Sequence, residues 1–397
     1  MTDGPISSNG CEVGPVSGRS DLRAFQRLPR QLRRRQAGWV EPLKLLEGEL
    51  LKRHRHPFYE GGSGAEAEFF LARDRTGRVI GRIAGIVNRR YDAHVAERDG
   101  HNHSPGFFGF FDCVDSPAVA SALVGAAKDW LRGQGRREML GPASPSETYD
   151  YGLLVEGLDQ PHRFLCVHQP SYYARLLEQA GLEKAKDLLG LTMDMQDPDT
   201  LRLLERFFKL SKAADDRLPG KIIIRAPDIK NFDAEVRTIC GVFNEALGRL
   251  WSHCPISEQE FGHIIWSLRH IAIPDAVLIA ENHGEPVGVV LTVPDLNEVI
   301  RRLRLRVSWL EPLELLCRAK LWRPKCVRTL VLGVKPGHER SLVVPAIVGR
   351  LGRTLTQRGV RYVDAHLVLE DNSSIMTPLL RYGFKPNRRY RIYRSAL

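Results

Sequence analysis

No two of the seven cysteines stand at CxxC spacing, and an odd count cannot pair completely. A disulfide framework is therefore not expected, and reduced thiols point to a cytoplasmic protein. No apolar run is long enough to span a bilayer, so no membrane-spanning helix is expected. The first twenty residues lack the apolar core of a signal peptide. They are polar and rich in Gly and Ser, which predicts a flexible tail. Glycine-rich loops of the Walker or dinucleotide kind are missing, which removes two large classes of nucleotide-dependent enzyme. The pairs His54/His56 and His101/His103 have no third ligand at useful spacing, and no metal is expected.

What is present is 397 residues, 43% hydrophobic and 26% charged, enough for two globular domains. The net charge of +11 and the pI near 9.4 favour phosphate-bearing partners: nucleic acid, an anionic surface or a nucleotide-like cofactor. The run Arg33-Arg34-Arg35 could grip phosphate, although a solvated helix end is the commoner reading. An amphipathic stretch, Val40–Leu51, follows it.

The order of predicted elements repeats. In the first half, a strand is expected near Ala24–Leu28. Two apolar strands then flank the turn Asp74–Gly77. Pro105–Val114 is a further strand, and a helix opens at Ser116-Pro117 and ends at Gly133–Gly135. Arg137–Ala143 is the next strand. A helix ending at Gly181 and a closing hairpin complete the half. In the second half, Ala276–Val293 reads as strand, turn, strand. Val327–Val334 is a strand, followed by a helix to Gln357. Val360–Leu369 is a strand, Asn372–Gly383 a helix, and Arg388–Leu397 the last strand. Ser121–Met139 aligns with Pro345–Val363 at a constant shift, so the chain reads as a duplicated α/β domain with mixed sheets rather than a solenoid. The expected division is a disordered tail over 1–20, an N-terminal domain over 21–199 and a C-terminal domain over 200–397. The second half carries an extra basic insert, Asp295–Lys325. It reads as a lid, a homodimer contact or a surface for an anionic partner, with an amphipathic helix packed on its own domain as the plainer alternative.

Asp364, His366 and Glu370 are separated by even numbers of residues on one predicted strand. If the strand is regular, all three share a face, while Val363, Ala365, Leu367 and Leu369 take the other. His366 is the best single choice for a general base, because its ordinary pKa is near neutral; Glu370 is second. Asp295 and Asn297 follow the preceding strand. They read either as contacts to a substrate amine or as a helix N-cap.

The second half resembles the GNAT acyltransferase superfamily. The resemblance rests on the strand Thr329–Val334, the loop Pro336–Leu342 and the motif Asn372…Gly383-Phe384. It implies two tandem GNAT-like units, the C-terminal one catalytic and the N-terminal one degenerate. It also implies a bulged fourth strand that splays from the fifth, with acetyl-CoA or another acyl-CoA in the V between them. The backbone of Leu332, Gly333 and Val334 would hold the pantetheine. Arg340, Ser341 and Leu342 would meet the pyrophosphate, with Asn372 beside them. Only Gly337 remains of the family's loop glycines. The family's usual thiolate-protonating Tyr is Leu379 here, and Tyr382 is the candidate substitute. Stretches such as "GRIAGIVNRRY", "GFFGFFDCVD", "PSYYARLLEQAGLEKAKDL" and "RRYRIY" resemble a bacterial group of large GNAT-related proteins. The implied activity is N-acyl transfer from acyl-CoA to the amine of a small molecule or amino acid. An aminoacyl-tRNA-dependent transferase, with Arg33–Arg35 and Arg301–Arg306 on phosphates, and a non-catalytic ligand-binding protein are the alternatives.

Overall fold

The computed structural model describes residues 10–36, 38–42, 48–59, 64–100, 104–217, 222–251, 253–269, 271–301, 322–339 and 341–397. The chain divides into two compact units. The first runs to Leu188 and takes in Arg388–Leu397; the second is Leu189–Asn387. The division thus falls short of residue 199, and the last strand passes from the second unit to the first at Arg388.

The first unit opens with β1 (Cys11–Pro15) and α1 (Gly18–Arg33). The expected tail therefore contains a strand, and Ala24–Leu28 is helical. Phe25 and Leu28 are both buried, and their i, i+3 spacing is the period of a helix face. Next come β2 (Ala65–Asp74), β3 (Val79–Asn88), α2 (Arg89–Asp99) and β4 (Gly106–Cys113). They are followed by α3 (Pro117–Gly133), β5 (Glu138–Gly141), β6 (Ala143–Ser144), β7 (Asp150–Tyr151), β8 (Leu153–Glu156) and α4 (Tyr172–Gln179). The turn between β2 and β3 closes as expected. Asp74 Oδ1 accepts from the amides of Thr76 and Arg78, and Gly77 supplies the positive φ of +81°. Strands β1 to β4 pair antiparallel in sequence order, and β4 pairs parallel with β5. The face of α3 made by Val119, Leu123, Val124, Ala127 and Leu131 packs on Ile80, Ile83 and Phe108. Each large apolar side chain buried there contributes about 2 kcal/mol.

In place of the expected hairpin after Gly181 there is one long strand, β9 (Glu183–Asp194), whose residues from Leu189 onward belong to the second unit. The second unit continues with α5 (Pro198–Arg217), β10 (Ile222–Arg225), α6 (Phe232–Leu247), α7 (Glu258–Leu268), β11 (Val277–Asn282), β12 (Glu285–Pro294) and α8 (Asn297–Ile300). It ends with β13 (Cys326–Val334), α9 (Val343–Gln357), β14 (Tyr362–Leu369), α10 (Ser373–Arg381) and the start of β15 (Lys385–Ala396). The strand order is β9-β14-β13-β12-β11-β10. The short apolar run of β10 was not expected as a strand; it adds an edge antiparallel to β11. Two cores cover the sheet. One joins α5, α9 and α10 to Val327, Val363, Ala365 and Val368, and the other joins α6 and α7 to Ile279 and Val289. Residues 302–321, the bulk of the basic insert, and His101 and His103 lie outside the described residues, while His56 is buried. No helix among the described residues is long and apolar enough to cross a membrane. The six described cysteines are all free thiols.

Candidate active site

The site of the second unit is made by two parallel strands that part. β13 and β14 pair from Cys326/Tyr362 to Thr329/Ala365, and there the ladder ends. The cause is visible on the other side of β13. Its register with β12 jumps between Val331 and Thr329, so Leu330 is the extra residue of a bulge. A bulge bends and twists its strand. Beyond it, β13 follows β12 to Val334 and leaves β14 behind.

Alternation then decides which backbone groups face the opening. The Lys335 amide donates to Val287 O at 2.8 Å, so Lys335, Gly333 and Val331 point their backbone groups at β12. Leu332 and Val334 point theirs the other way, where no strand pairs with them among the described residues.

His366 is the first residue of β14 past the last ladder pair, at the fork itself, and is half-buried. A carboxylate oxygen of Asp364 lies within 4.8 Å of a ring nitrogen of His366. Asp364 is fully buried and held from two further strands. Thr192 Oγ1 on β9 donates to Asp364 Oδ1 at 2.8 Å, and Asn387 Nδ2 on β15 donates to Thr192 Oγ1 at 2.9 Å. The register sets the buried Arg328 directly across from Asp364. The arrangement is an imidazole one residue past the last ladder pair, with a buried carboxylate within 4.8 Å of its ring nitrogen. An imidazole can take up a proton near neutral pH, and a carboxylate close by favours its charged form.

Other expected members are elsewhere. β14 is not regular: Leu367 has φ of +63°, and Val368 shares the core of Val363 and Ala365. The alternation therefore shifts by one, and Glu370, exposed beyond the strand end, does not continue the Asp364–His366 face. Tyr382 packs edge-on against Phe207 of α5 at 4.6 Å, in the core on the opposite face, and burial raises its phenol pKa. It is a packing residue in this position. Asn372 caps α10, with its Oδ1 accepting from the Ile375 amide and from Ser374 Oγ. Asp295, fully buried, accepts from the Asn297 amide at 3.2 Å in the turn into α8, and Asn297 is buried too. Neither is open to an amine from solvent. Ser341 Oγ donates to His338 O and accepts from the Val343 amide, so it orders the entry to α9, while Leu342 is exposed. Arg340 lies outside the described residues. The Glu339 carboxylate accepts from the Gly337 amide at 2.8 Å and so occupies one donor of this loop. Thr192, Asn387 and Arg328 were missed by sequence reasoning. The first two reach the site only because β9 and β15 change unit along their length, for which the sequence carries no local signal.

A bulged fourth strand, a splayed fifth and a helix starting at the end of the fourth form the frame that the sequence resemblance implied. No family model matches the chain. It is 30% identical over 400 residues, covering 99% of itself and all of the relative, to a protein named bacterial ceramide synthase from Caulobacter vibrioides. The chain belongs to the GNAT acyltransferases. It is also 27% identical to the protein named YghO of Escherichia coli, over 96% of this chain and 94% of that one. A tandem GNAT protein from the clavulanic acid biosynthesis pathway superposes with a TM-score of 0.53 at 11% identity, over 97% of this chain and 98% of the other, a likeness of fold.

The first unit of this tandem GNAT has the same frame with the opening filled. β4 pairs with β5 only at Gly106/Met139 and Phe107/Leu140, and its register with β3 jumps around Phe110, whose φ is +52°. Past the jump, the backbone of Cys113 faces the opening. Its amide donates to Tyr173 Oη at 3.2 Å, and its carbonyl accepts from Tyr172 Oη at 2.9 Å. The Phe110 amide donates to Ser144 Oγ at 2.8 Å. Gly109 is required here: a Cβ on it would fall 1.7 Å from Ala143 O, because β6 is pressed against β4. Tyr173 also donates to Asp112, a fully buried carboxylate bonded by Arg33 and Arg82. Arg33 is thereby committed to a structural ion pair rather than to an external phosphate.

Proposed function

We propose that this chain is an N-acyltransferase that moves an acyl group from acyl-CoA to the amine of a small molecule, with its chemistry at the fork of the second unit. The contrast between the two openings carries the reading. In the first unit the outward-facing groups of Cys113 are taken by the phenols of Tyr172 and Tyr173. In the second unit those of Leu332 and Val334 stand beside an opening. The residues aligned with the two tyrosines, counted back from Gly383 as they are from Gly181, are Ser374 and Ile375. Both are exposed, and neither carries a side chain that reaches as far.

Acyl-CoA supplies an activated thioester carbonyl. The backbone amides of β13 past the bulge hold the pantetheine and stabilise the charge that develops on the carbonyl oxygen. His366 takes a proton from the attacking amine as the C–N bond forms and the C–S bond breaks, and returns a proton to the thiolate of CoA. Asp364, fixed by Thr192, stabilises the protonated imidazole. For the acceptor, the relative named ceramide synthase favours an amine on a long-chain amino alcohol. The test is turnover by purified protein of acyl-CoAs of several chain lengths with a long-chain amino alcohol and with amino acids, followed by mass spectrometry. Amide formation that falls by about 10²–10⁴ in kcat for His366→Gln, with KM for acyl-CoA kept, is the expected result. Wild-type turnover matched by the variant would remove His366 from the chemistry.

A further inference from the structure

A fully buried carboxylate such as Asp364 needs hydrogen-bond donors. One of its donors comes from β9 and is itself held from β15. In strand order β15, β9 and β14 are neighbours, so Asn387, Thr192 and Asp364 form a row that runs across the strands. Leu191 and Met193 flank Thr192, and Val363 and Ala365 flank Asp364. All four belong to the core that α5, α9 and α10 cover, so Thr192 and Asp364 lie on the opposite face. His366, the other side of Ala365 from Asp364, shares that face at the fork.

Counting protons fixes the direction of the row. A threonine hydroxyl has one proton to give, and an amide nitrogen can only donate. Asn387 Nδ2 donates to Thr192 Oγ1 at 2.9 Å, which commits the hydroxyl proton to Asp364 Oδ1 at 2.8 Å. Turning the Asn387 amide over would set two acceptors against that one proton. The donating orientation is the one that satisfies all three groups. A hydroxyl that cannot turn away from Oδ1 fixes the plane of the carboxylate, and with it Oδ2. Asp364 Oδ2 and His366 Nδ1 are both shut off from solvent, and a carboxylate oxygen lies within 4.8 Å of a ring nitrogen. Bulk water does not average the orientation of either group there.

We propose that Thr192 and Asn387 are positioning residues for the acyl transfer, and that the directed row Asn387–Thr192–Asp364 sets the ring orientation and tautomer of His366. The proposal rests on the assignment of the general base to His366 in the preceding section. Neither Thr192 nor Asn387 touches the reacting atoms; both act through the carboxylate. A row that only satisfied a buried carboxylate would show in stability and leave the imidazole as it is.

Ring nitrogen NMR on full-length protein labelled at its 13 histidines reads the tautomer of His366 at one pH, without any substrate. The His366 resonances are those missing from His366→Gln. They should move in Thr192→Val, which keeps the branched shape and removes the hydroxyl, and return in Thr192→Ser. Asn387→Leu should move them the same way by less, and carries this test alone if Thr192→Val does not fold. In turnover, Thr192→Val should lower kcat about 10–100-fold with KM for acyl-CoA kept, the size of one hydrogen bond to a charged group. Thr192→Ser should recover most of that loss. Asn387→Leu should lower kcat about three- to tenfold in wild type and no further in Thr192→Val, because the hydroxyl carries its effect. Unmoved His366 resonances in the variants, or losses that add in the double variant, overturn the proposal. Full turnover by His366→Gln together with moved resonances in Thr192→Val would instead remove the base assignment and leave the hold of the row on His366 standing.

Discussion

Proline at position 334 separates the role of an outward-facing amide from that of a ladder amide. Val334 points its N–H into the opening, and the next residue, Lys335, holds the bond to Val287 O. Val334→Pro therefore deletes one donor toward the cleft and no strand-to-strand bond. The residue before a proline is pushed to extended conformations, which Gly333 in β13 already has. Stability should change by less than about 1 kcal/mol. A hydrogen bond to a ligand contributes about 0.5–1.5 kcal/mol net, and more is lost when the ligand's acceptor stays dry. The expected effect is a rise of about tenfold in the Kd for CoA, measured by titration calorimetry. Gly333→Pro is the opposite case: its amide faces β12, so it should damage the fold first. A Kd for Val334→Pro within twofold of wild type, with an unchanged circular dichroism spectrum and melting temperature, would refute the pantetheine reading of β13.

Tyr172→Phe/Tyr173→Phe strips partners from the Cys113 amide and carbonyl, and should destabilise the first unit by about 2–4 kcal/mol in urea titration. Glu339→Ala frees the Gly337 amide and removes a negative charge from the loop, so CoA should bind a few-fold tighter, most clearly at low salt. Asp187 is buried, which alone would raise its pKa, but bonds from Arg391 and Lys184 overcome this and leave the carboxyl below its usual value. A depressed carboxylate adds stability above its unfolded pKa of about 3.9 and loses it as pH falls through the folded value. Asp187→Asn should thus cost about 2 kcal/mol at pH 7, less than a fully dry pair because its cationic partners reach solvent. It should also flatten the fall of stability below pH 4; an unchanged acid limb would show that this carboxylate does not govern it.

The repeated order of elements was legible because strand and helix periods, turn glycines and caps are local signals. Gly77, Ser116-Pro117 and Gly383 mark turns and helix ends wherever the chain goes. The first helix was misread because "AFQRL" is short enough to fit either period, and only its neighbours bury Phe25 and Leu28 on one helical face. The fork was legible only through family resemblance. Bulges arise from register between strands far apart in sequence, and Leu330 and Leu367 look like any other strand leucines. The same blindness produced the error at Glu370, since even spacing implies a shared face only while the strand stays regular.

Duplication supplies a reason for the two openings to differ. A GNAT strand that splays leaves backbone groups without a neighbour, and such groups are costly unless something bonds to them. In the first unit the solution is internal. Two tyrosines and Ser144 bond to β4, Gly109 lets β6 approach, and the tie adds to the packing that holds α4. That solution occupies the backbone groups of Cys113 and the amide of Phe110 from within the unit. In the second unit the matching helix begins with Asn372, Ser373, Ser374 and Ile375, none of which carries a phenol, and on the proposed reading β13 bonds to the co-substrate instead. On that reading a tandem chain tolerates the difference because one unit can be optimised as a scaffold while the other keeps an edge for a co-substrate to complete.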